Sequence, residues 1–174
     1  MSRRFVLAIC LIAALLHGTA EARQRVRVPP GAGLTISCIE QAAMRHGVPL
    51  AALLGILATE GGQNGEALSN TNGTWDMGPF QVNTCHINML LEFGIRPEDV
   101  LANGCVNADA AALILRRELR RSDGDLWEAL GAYHSRTTHL HHAYRQRLQR
   151  NLKKLEQGRV TALIEYVNGK RRAW

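Results

Sequence analysis

The sequence centres on residues 53–62, which read LLGILATEGG. Leu53, Ile56 and Leu57 recur at the spacing of one helical face, and Glu60 falls next on that face. Two glycines follow at once and favour the end of the helix. The pattern therefore predicts an apolar helix whose last residue is a partly buried carboxylate.

Glu60 is the first candidate for a chemical role. Burial disfavours the ionised form of a carboxyl group, and the negative C-terminal end of a helix disfavours it further. Both effects raise the pKa, and a carboxyl group that holds a proton at neutral pH can act as a general acid. Periodicity alone leaves another interpretation open, in which Glu60 is an exposed residue just past a buried helix.

Further helices are predicted on both sides of this segment. Ser37-x-x-Glu40 reads as a capping box for a preceding helix that Gly47 closes, and Pro49 suits the first position of the helix ending at Glu60. The remaining predicted helices run from about Cys85 to Phe93 with Gly94 at the end, from an Asn107 cap to about Arg121, from the capping box Asp125-x-x-Glu128, and from His139 to Gln157. Pro97 is expected to open a further turn.

Residues 61–83 do not follow a helical pattern. The first part, to Thr74, is rich in Gly, Asn, Ser and Thr. Phe80 and Val82 then alternate with Gln81 and Asn83. This alternation predicts a short extended segment that buries the first pair and presents the second pair on the opposite face.

The chain begins like an exported protein. It has 174 residues, of which 46% are hydrophobic and 21% charged, which suits one globular domain. Residues 1–22 carry Arg3 and Arg4 before an uncharged run and end in Ala20-x-Ala22, so they are predicted to be a cleaved secretory signal. That run is too short for a comfortable membrane span, and no later segment qualifies. We therefore expect a periplasmic protein.

The mature chain is predicted to be basic. Removing the signal takes away two arginines and one glutamate, so the formal charge falls from +6 to +5. Cell-wall polymer, membrane surface and nucleic acid are all anionic partners, but the few aromatic residues and the exported location argue against nucleic acid. Residues 23–34 are expected to be an extended basic leader that forms a solvated arm, residues 35–157 the folded domain, and residues 158–174 a C-terminal tail with a frayed end.

The cysteines and histidines of the chain are candidates for a disulfide and for a metal site. Three cysteines remain after signal cleavage, an odd number that predicts one disulfide and one unpaired thiol in an oxidising compartment. His139, His141 and His142 have no cysteine or carboxylate at ligand spacing beside them. We therefore expect neither a metal site nor a cofactor.

Three short motifs occur in a characteristic order. They are Glu60 after an apolar helix, residues 70–83 with the sequence NTNGTWDMGPFQVN, and Gly131-Ala132-Tyr133. In this order and spacing they resemble the lytic transglycosylases, and more narrowly the small exported members that accompany conjugative transfer, type IV secretion and pilus systems. The resemblance covers residues 36–145. It implies that Glu60 is the sole catalytic acid and base, and that Gln81 and Tyr133 line a sugar cleft beside it.

The resemblance also implies a fold, a substrate and partners. The fold would be mostly α, an α+β lysozyme-like arrangement with one helical domain and a short extended segment beside the active-site cleft. The reaction would cleave the β-1,4 bond between N-acetylmuramic acid and N-acetylglucosamine in peptidoglycan, for a monomer that serves an envelope-spanning machine. A disulfide between Cys38 and Cys105 would leave Cys85 free. The other substrate-binding residues would be Thr74, Met77, Phe80, Asn83 and His134.

The implied mechanism needs one carboxyl group. An ordinary glycosidase uses two that flank the scissile bond. If the C6 hydroxyl of the muramic sugar attacks its own anomeric carbon, Glu60 suffices and the product is a 1,6-anhydro sugar. Asp76 is the second carboxyl candidate and would suit a hydrolytic muramidase, although an Asp two residues before Gly78 is more often a turn former.

Three departures from the family pattern leave a further alternative open. The serine that usually follows the glutamate is Gly61, the usual Leu-Met before the glutamine is Pro79-Phe80, and the residues after the tyrosine include His134 and Arg136. Because a hydroxyl that could orient the acid is missing, the chain could also be a wall-binding assembly factor that has lost catalysis.

Overall fold

The computed structural model describes residues 23–174, and the predicted secretory signal lies outside this range. Eight α-helices and a four-stranded antiparallel sheet form the described part, so the predicted class, mostly α with a short extended segment, is confirmed. The helices are α1 (Ile36–His46), α2 (Leu50–Glu60), α3 (Ile87–Glu92), α4 (Pro97–Ala102), α5 (Gly104–Arg121), α6 (Leu126–His134), α7 (Thr138–Glu156) and α8 (Val160–Val167). The strands are β1 (Arg25–Arg27), β2 (Glu66–Ser69), β3 (Trp75–Met77) and β4 (Val82–Asn83), and a short 3-10 helix covers Thr84–His86.

Helix α2 lies in the core, as its apolar sequence predicts. The side chains of Leu53, Ile56 and Leu57 are fully buried. The helix packs against α1, α5 and α7, and Gly55 brings its backbone close to Leu148 and Leu152 of α7. The buried helix thereby holds its C-terminal residue, Glu60, in a fixed position relative to α7.

Two helix starts differ from the sequence predictions. The side chain of Thr35, two residues before Ser37, caps α1 by accepting a hydrogen bond from the Cys38 amide. Asn103 caps α5 through the amides of Cys105 and Val106, so the helix begins four residues earlier than an Asn107 cap would give. Each of these helices has two polar residues near its start. In both cases the earlier of the two has the extended backbone that an N-cap requires.

The predicted basic leader is part of the sheet. Strand β1 pairs antiparallel with β2, and Leu34, which follows it, is fully buried. The segment is extended and mostly exposed, as expected, but it is not a free arm, because its backbone pairs with β2. All three side chains of β1 are exposed.

The predicted C-terminal tail is also packed over much of its length. Helix α8 buries Leu163 and Val167. Beyond it, the Asn168 side chain donates to the Leu34 carbonyl and accepts from the Leu34 amide, both at 2.8 Å. The prediction of a tail is wrong for residues 160–168, because the apolar residues of α8 recur at helical spacing and are buried. The segment after α8 is thereby joined to the segment just before α1.

A disulfide joins Cys38 of α1 to Cys105 of α5, with 5.0 Å between the Cα atoms. Among the described residues, Cys85 is an exposed free thiol. None of the helices within residues 23–174 combines the length and apolar character needed to cross a bilayer.

Candidate active site

Glu60 ends α2 beside a cavity of about 220 Å³, which Gln81, Gly62, Arg25 and Tyr166 also line. Gly61 follows in the left-handed conformation (φ 59°), so the chain turns away from the helix immediately after the carboxylate. This placement contradicts the alternative in which Glu60 is simply exposed, because the residue is half-buried.

The pKa of Glu60 is raised from 4.5 to about 7, and burial is the largest cause. The nearby Tyr144 hydroxyl and the Arg147 guanidinium act in the opposite direction and lower this pKa, while the charge of Asp76 raises it. The net result is a carboxyl group that can both give and accept a proton near neutral pH.

The loop of residues 78–81 is held against Glu60 by the buried side chain of Asn107. Its amide nitrogen donates to the carbonyls of Met77 and Val100, both at 2.9 Å, and its oxygen accepts from the Phe80 amide at 2.8 Å. Gly78 has φ 66°, and a Cβ there would lie 2.5 Å from Asn107. Asn107 is thus an internal brace for the loop.

Gln81 reaches the cavity because two glycines allow the loop to approach α2. The Gly62 amide donates to the Pro79 carbonyl at 3.1 Å, and a Cβ on Gly62 would lie 2.1 Å from the Gly78 carbonyl oxygen. Gln81 itself has φ 49°, an unusual value for a residue with a side chain. Its amide nitrogen donates to the Gly78 carbonyl at 3.0 Å.

Tyr133 reaches the same loop from α6. Its hydroxyl donates to the Phe80 carbonyl at 3.0 Å, one residue before Gln81. Burial raises the pKa of Tyr133 well above 10, and the charges of Glu60 and Asp76 raise it further. The structure thus brings Glu60, Gln81 and Tyr133 together although they are far apart in sequence.

Asp76, Asn83 and Thr74 form a connected polar row on the neighbouring strands. The Asn83 side-chain nitrogen donates to Asp76 Oδ1 at 2.7 Å and to Thr74 Oγ1 at 3.0 Å. Arg23 Nη2 lies 2.6 Å from the other Asp76 oxygen. Both carboxylate oxygens of Asp76 are therefore occupied by protein groups.

Met77 and Phe80 do not have the direct role that was predicted for them. The exposed fractions are 5% for Met77 and 0% for Phe80, so neither side chain can contact a sugar in this structure. Both residues pack in the hydrophobic core under the loop. The prediction of substrate-binding side chains at these two positions is corrected accordingly, and Phe80 contributes the carbonyl that Tyr133 binds.

His134 and Tyr144 form a stacked pair next to Glu60. Their ring centroids are 4.7 Å apart and the planes differ by 5°. Burial lowers the pKa of His134, and Arg147 lowers it further. Arg136, which follows in the chain, binds the buried Glu118 of α5 and so fixes the segment after His134.

Tyr144 and Arg147 are the site residues that the sequence did not reveal. Tyr144 occupies an apolar position on α7 and reads as a core residue, which it is. Its buried hydroxyl, however, has no conventional hydrogen-bond partner within residues 23–174, although it lies near enough to Glu60 to lower that pKa. A buried tyrosine needs a partner for its hydroxyl, and this need is the one signal that could have pointed to the site.

Within the described residues, no group of His, Cys, Asp and Glu side chains is arranged to hold a metal ion. Of the histidines considered above, His141 is buried and its Nε2 lies 3.1 Å from the Glu128 carbonyl oxygen between α6 and α7. It therefore has a packing role there.

The sequence of this chain is similar to those of known proteins over much of its length. Residues 37–156, from α1 to the end of α7, match the Transglycosylase SLT domain. The chain is 34% identical to Protein IpgF of Shigella flexneri over 102 residues. This alignment covers 58% of this chain and 66% of that protein. It is 29% identical over 92 residues to Invasion protein IagB of Salmonella typhi, covering 51% of this chain and 57% of that protein. The chain thus spans less than two thirds of the length of each of these relatives. Strand β1 and helix α8 lie outside the family match.

Proposed function

Because the chain belongs to the Transglycosylase SLT domain family, we propose that it is a peptidoglycan lytic transglycosylase. It cleaves the β-1,4 bond between N-acetylmuramic acid and N-acetylglucosamine and leaves a 1,6-anhydro product. The observation that carries the proposal is Glu60, a half-buried carboxyl group with a pKa of about 7 at the wall of an open cavity.

In this reaction Glu60 acts twice. Its protonated form gives a proton to the glycosidic oxygen as the bond to the anomeric carbon breaks. The resulting carboxylate then takes the proton of the C6 hydroxyl as that oxygen bonds to the same anomeric carbon. A group with a pKa near the working pH is suited to both steps, since each protonation state is well populated.

Asp76 supports the choice of the C6 hydroxyl as the nucleophile. A second carboxylate that attacks the sugar or activates water needs a free oxygen directed at the bond. Arg23 and Asn83 occupy the two oxygens of Asp76. This arrangement favours the transglycosylase over a hydrolytic muramidase of the same fold.

The other site residues are proposed to bind the glycan. Gln81 lines the cavity beside Glu60, and Tyr133 holds the loop that carries Gln81. Asn83 and Thr74, which are hydrogen-bonded to each other, and His134, which stacks on Tyr144, are proposed to contact sugar hydroxyl and acetamido groups. A small number of convergent polar groups in a concave site is typical of ligand recognition.

The proposed location is the periplasm, where the enzyme opens the wall for an envelope-spanning secretion, conjugation or pilus machine. The Cys38–Cys105 disulfide suits an oxidising compartment, and the basic chain suits an anionic wall polymer. One of the relatives is named an invasion protein. The expected partners are peptidoglycan strands and proteins of that machine, and the expected working form is a monomer.

The direct test is digestion of purified peptidoglycan followed by mass spectrometry of the released fragments. Anhydromuramyl ends are the expected result. Reducing muramic acid ends would show that water is the nucleophile and that the protein is a hydrolase. Binding to the wall without any cleavage, under conditions in which a known muramidase works, would identify an assembly factor.

A further inference from the structure

The segment that precedes the family match reaches the polar side chains of strands β3 and β4. The match begins at residue 37, and Arg23 lies well before it, just ahead of β1. Its Nη2 donates to Asp76 Oδ2 and to Asn70 Oδ1, and its Nε donates to the Ser69 carbonyl, all at 2.6 Å. These contacts hold the guanidinium group on Asp76, although the Arg23 side chain is 50% exposed. Arg23 is therefore an addition of the N-terminal segment to the site.

The two oxygens of Asp76 have different kinds of partner. Oδ1 accepts from the Asn83 side-chain nitrogen at 2.7 Å, and the same nitrogen donates to Thr74 Oγ1 at 3.0 Å. These two side chains are neutral, so they orient the carboxylate without compensating its charge. Arg23 supplies a positive charge and occupies Oδ2. Loss of the Arg23 side chain would therefore free one oxygen of a carboxylate that Asn83 still holds in place.

Asp76 lies close to Glu60. In the sheet Asp76 is directly opposite both Leu68 and Asn83, and directly opposed residues of an antiparallel sheet share a face. Leu68 lines the cavity beside Glu60. Burial is the largest cause of the raised pKa of Glu60, but the charge of Asp76 also raises this pKa and the charge of Arg23 lowers it. Both members of the ion pair are thus near enough for their charges to act on the catalytic carboxyl group.

A carboxylate in this position influences which nucleophile reaches the anomeric carbon. When the glycosidic bond breaks, the C6 hydroxyl and a water molecule compete for that carbon. A carboxylate oxygen without a partner can take a proton from water and so make water the better nucleophile, as in a hydrolytic glycosidase. An oxygen that accepts a charge-assisted hydrogen bond from a guanidinium group is not free to do this.

We propose that Arg23 suppresses a latent muramidase activity of this site by covering Asp76 Oδ2. The proposal rests on the proposed function and names the residue that keeps water from replacing the C6 hydroxyl. Without Arg23, Glu60 still gives its proton to the glycosidic oxygen as that bond breaks. The oxygen of a water molecule then bonds to the anomeric carbon, and a proton of that water passes to Asp76 Oδ2. Solvent carries a proton from Asp76 back to Glu60, and the product is a reducing muramic acid.

The test measures how each variant divides its products between the two kinds of end. The substrate is purified peptidoglycan whose existing reducing ends have been removed by borohydride reduction. Mass spectrometry then quantifies new reducing ends and anhydromuramyl ends, after subtraction of the ends found without enzyme. The ratio of reducing to anhydromuramyl ends reports the competition between water and the C6 hydroxyl, and it does not depend on the fraction of folded enzyme.

For the wild type we expect anhydromuramyl ends to dominate. Arg23→Ala should raise the ratio of reducing to anhydromuramyl ends about fivefold, the size of one half-exposed ionic contact. The double variant Arg23→Ala/Asp76→Asn should return the ratio to the wild-type value, because an amide does not take a proton from water. Arg27→Ala is the matched control, since it removes an arginine of β1 that pairs with Glu66 at 2.6 Å and not with Asp76. It should keep the wild-type ratio.

Two results would overturn the inference. One is an unchanged ratio in Arg23→Ala. The other is a raised ratio that persists in the double variant, which would mean that water enters the reaction without help from Asp76. Failure of the proposed function looks different, since the wild type would then release no anhydromuramyl ends.

Discussion

At the level of single residues, Glu60 shows how the fold creates a functional group at some cost in stability. The apolar stripe of α2 carries the carboxyl group into a site where burial disfavours its charge. Arg147 and Tyr144 offset this effect in part, because both lower the pKa of Glu60. The pKa of about 7 is the balance of these opposing contributions.

Glu60→Gln should abolish release of anhydromuramyl products and leave the fold intact. Gln keeps the shape of Glu but has no proton to give to the glycosidic oxygen. Glu40→Gln, which removes a carboxylate from an exposed position on α1, is the matched control and should retain activity. Residual product formation by Glu60→Gln at a wild-type rate would contradict the assignment of Glu60 as the acid.

The same substitution should make stability less dependent on pH. The folded-state pKa of Glu60 lies above the ordinary value, so the folded protein holds this proton more tightly than the unfolded chain. Its contribution to stability is fully present below pH 4.5 and is lost as the pH rises to about 7. Relative to Glu60→Gln, the wild type should therefore lose on the order of 2 kcal/mol across this interval. Denaturant unfolding of both proteins at several pH values measures the difference, and parallel pH curves would contradict it.

Activity should fall on the alkaline side as Glu60 loses its proton. Since the pKa of Glu60 is about 7, kcat/KM should decline above that pH. Arg147 lowers this pKa, so Arg147→Gln should move the decline to higher pH. Arg150→Gln removes an exposed charge from the same helix and should leave the profile unchanged. A shift in the acidic direction in Arg147→Gln would show that the charge of Arg147 does not act on Glu60.

At the level of elements, the site depends on how α5 supports a loop that belongs to the sheet. The sequence predicts Asn107 as the cap of α5, but Asn107 lies inside the helix with its side chain fully buried. It binds three backbone groups of residues 77, 80 and 100. The loop that carries Gln81 is thus anchored by a helix that contributes nothing to the cavity surface directly.

Asn107→Ala should therefore harm both stability and catalysis. Loss of the side chain leaves buried backbone groups without partners, and we expect the free energy of unfolding to fall by about 3 kcal/mol. At a temperature where the variant is still folded, kcat/KM should also fall, because Gln81 is no longer held beside Glu60. Full activity in a destabilised variant would mean that Asn107 serves folding alone.

The sequence predicted those elements whose signal is local. The buried face of α2, its glycine end and the Asp125 cap of α6 all follow from residue spacing and end chemistry, and the structure has them. The missed features depend on contacts between distant segments. Strand β1 exists because β2 offers an edge for pairing, and Asn107 is buried because Met77, Phe80 and Val100 need hydrogen-bond partners.

The same distinction applies to the site residues. Glu60, Gln81 and Tyr133 were identified through short motifs, and the structure places them around one loop. Tyr144 and Arg147 lie on α7, whose sequence pattern predicts one buried face and one solvent-exposed face. Their proximity to Glu60 results from the packing of α7 on α2, which periodicity does not specify.

At the scale of the whole molecule, two links join segments of the described chain that are far apart in sequence. The disulfide connects α1 to α5, and Asn168 connects the segment after α8 to Leu34 just before α1. The flanking segments β1 and α8 therefore lie on the same body as the family-matched region. Because these segments are held against the rest of the protein, Arg25 of β1 and Tyr166 of α8 can line the cavity beside Glu60.

The disulfide should be a major source of stability for that body. It links residues 67 apart in sequence, and in the chain-entropy model a closed loop of this size stabilises the folded state by about 4 kcal/mol. The double variant Cys38→Ser/Cys105→Ser should lower the unfolding midpoint accordingly, and a reducing agent should have a similar effect on the wild type. Cys85→Ser is the matched control and should leave the midpoint unchanged, because Cys85 is exposed and outside the bridge. Peptide mapping without reduction identifies the bonded pair, and a bridge that contains Cys85 would refute this assignment.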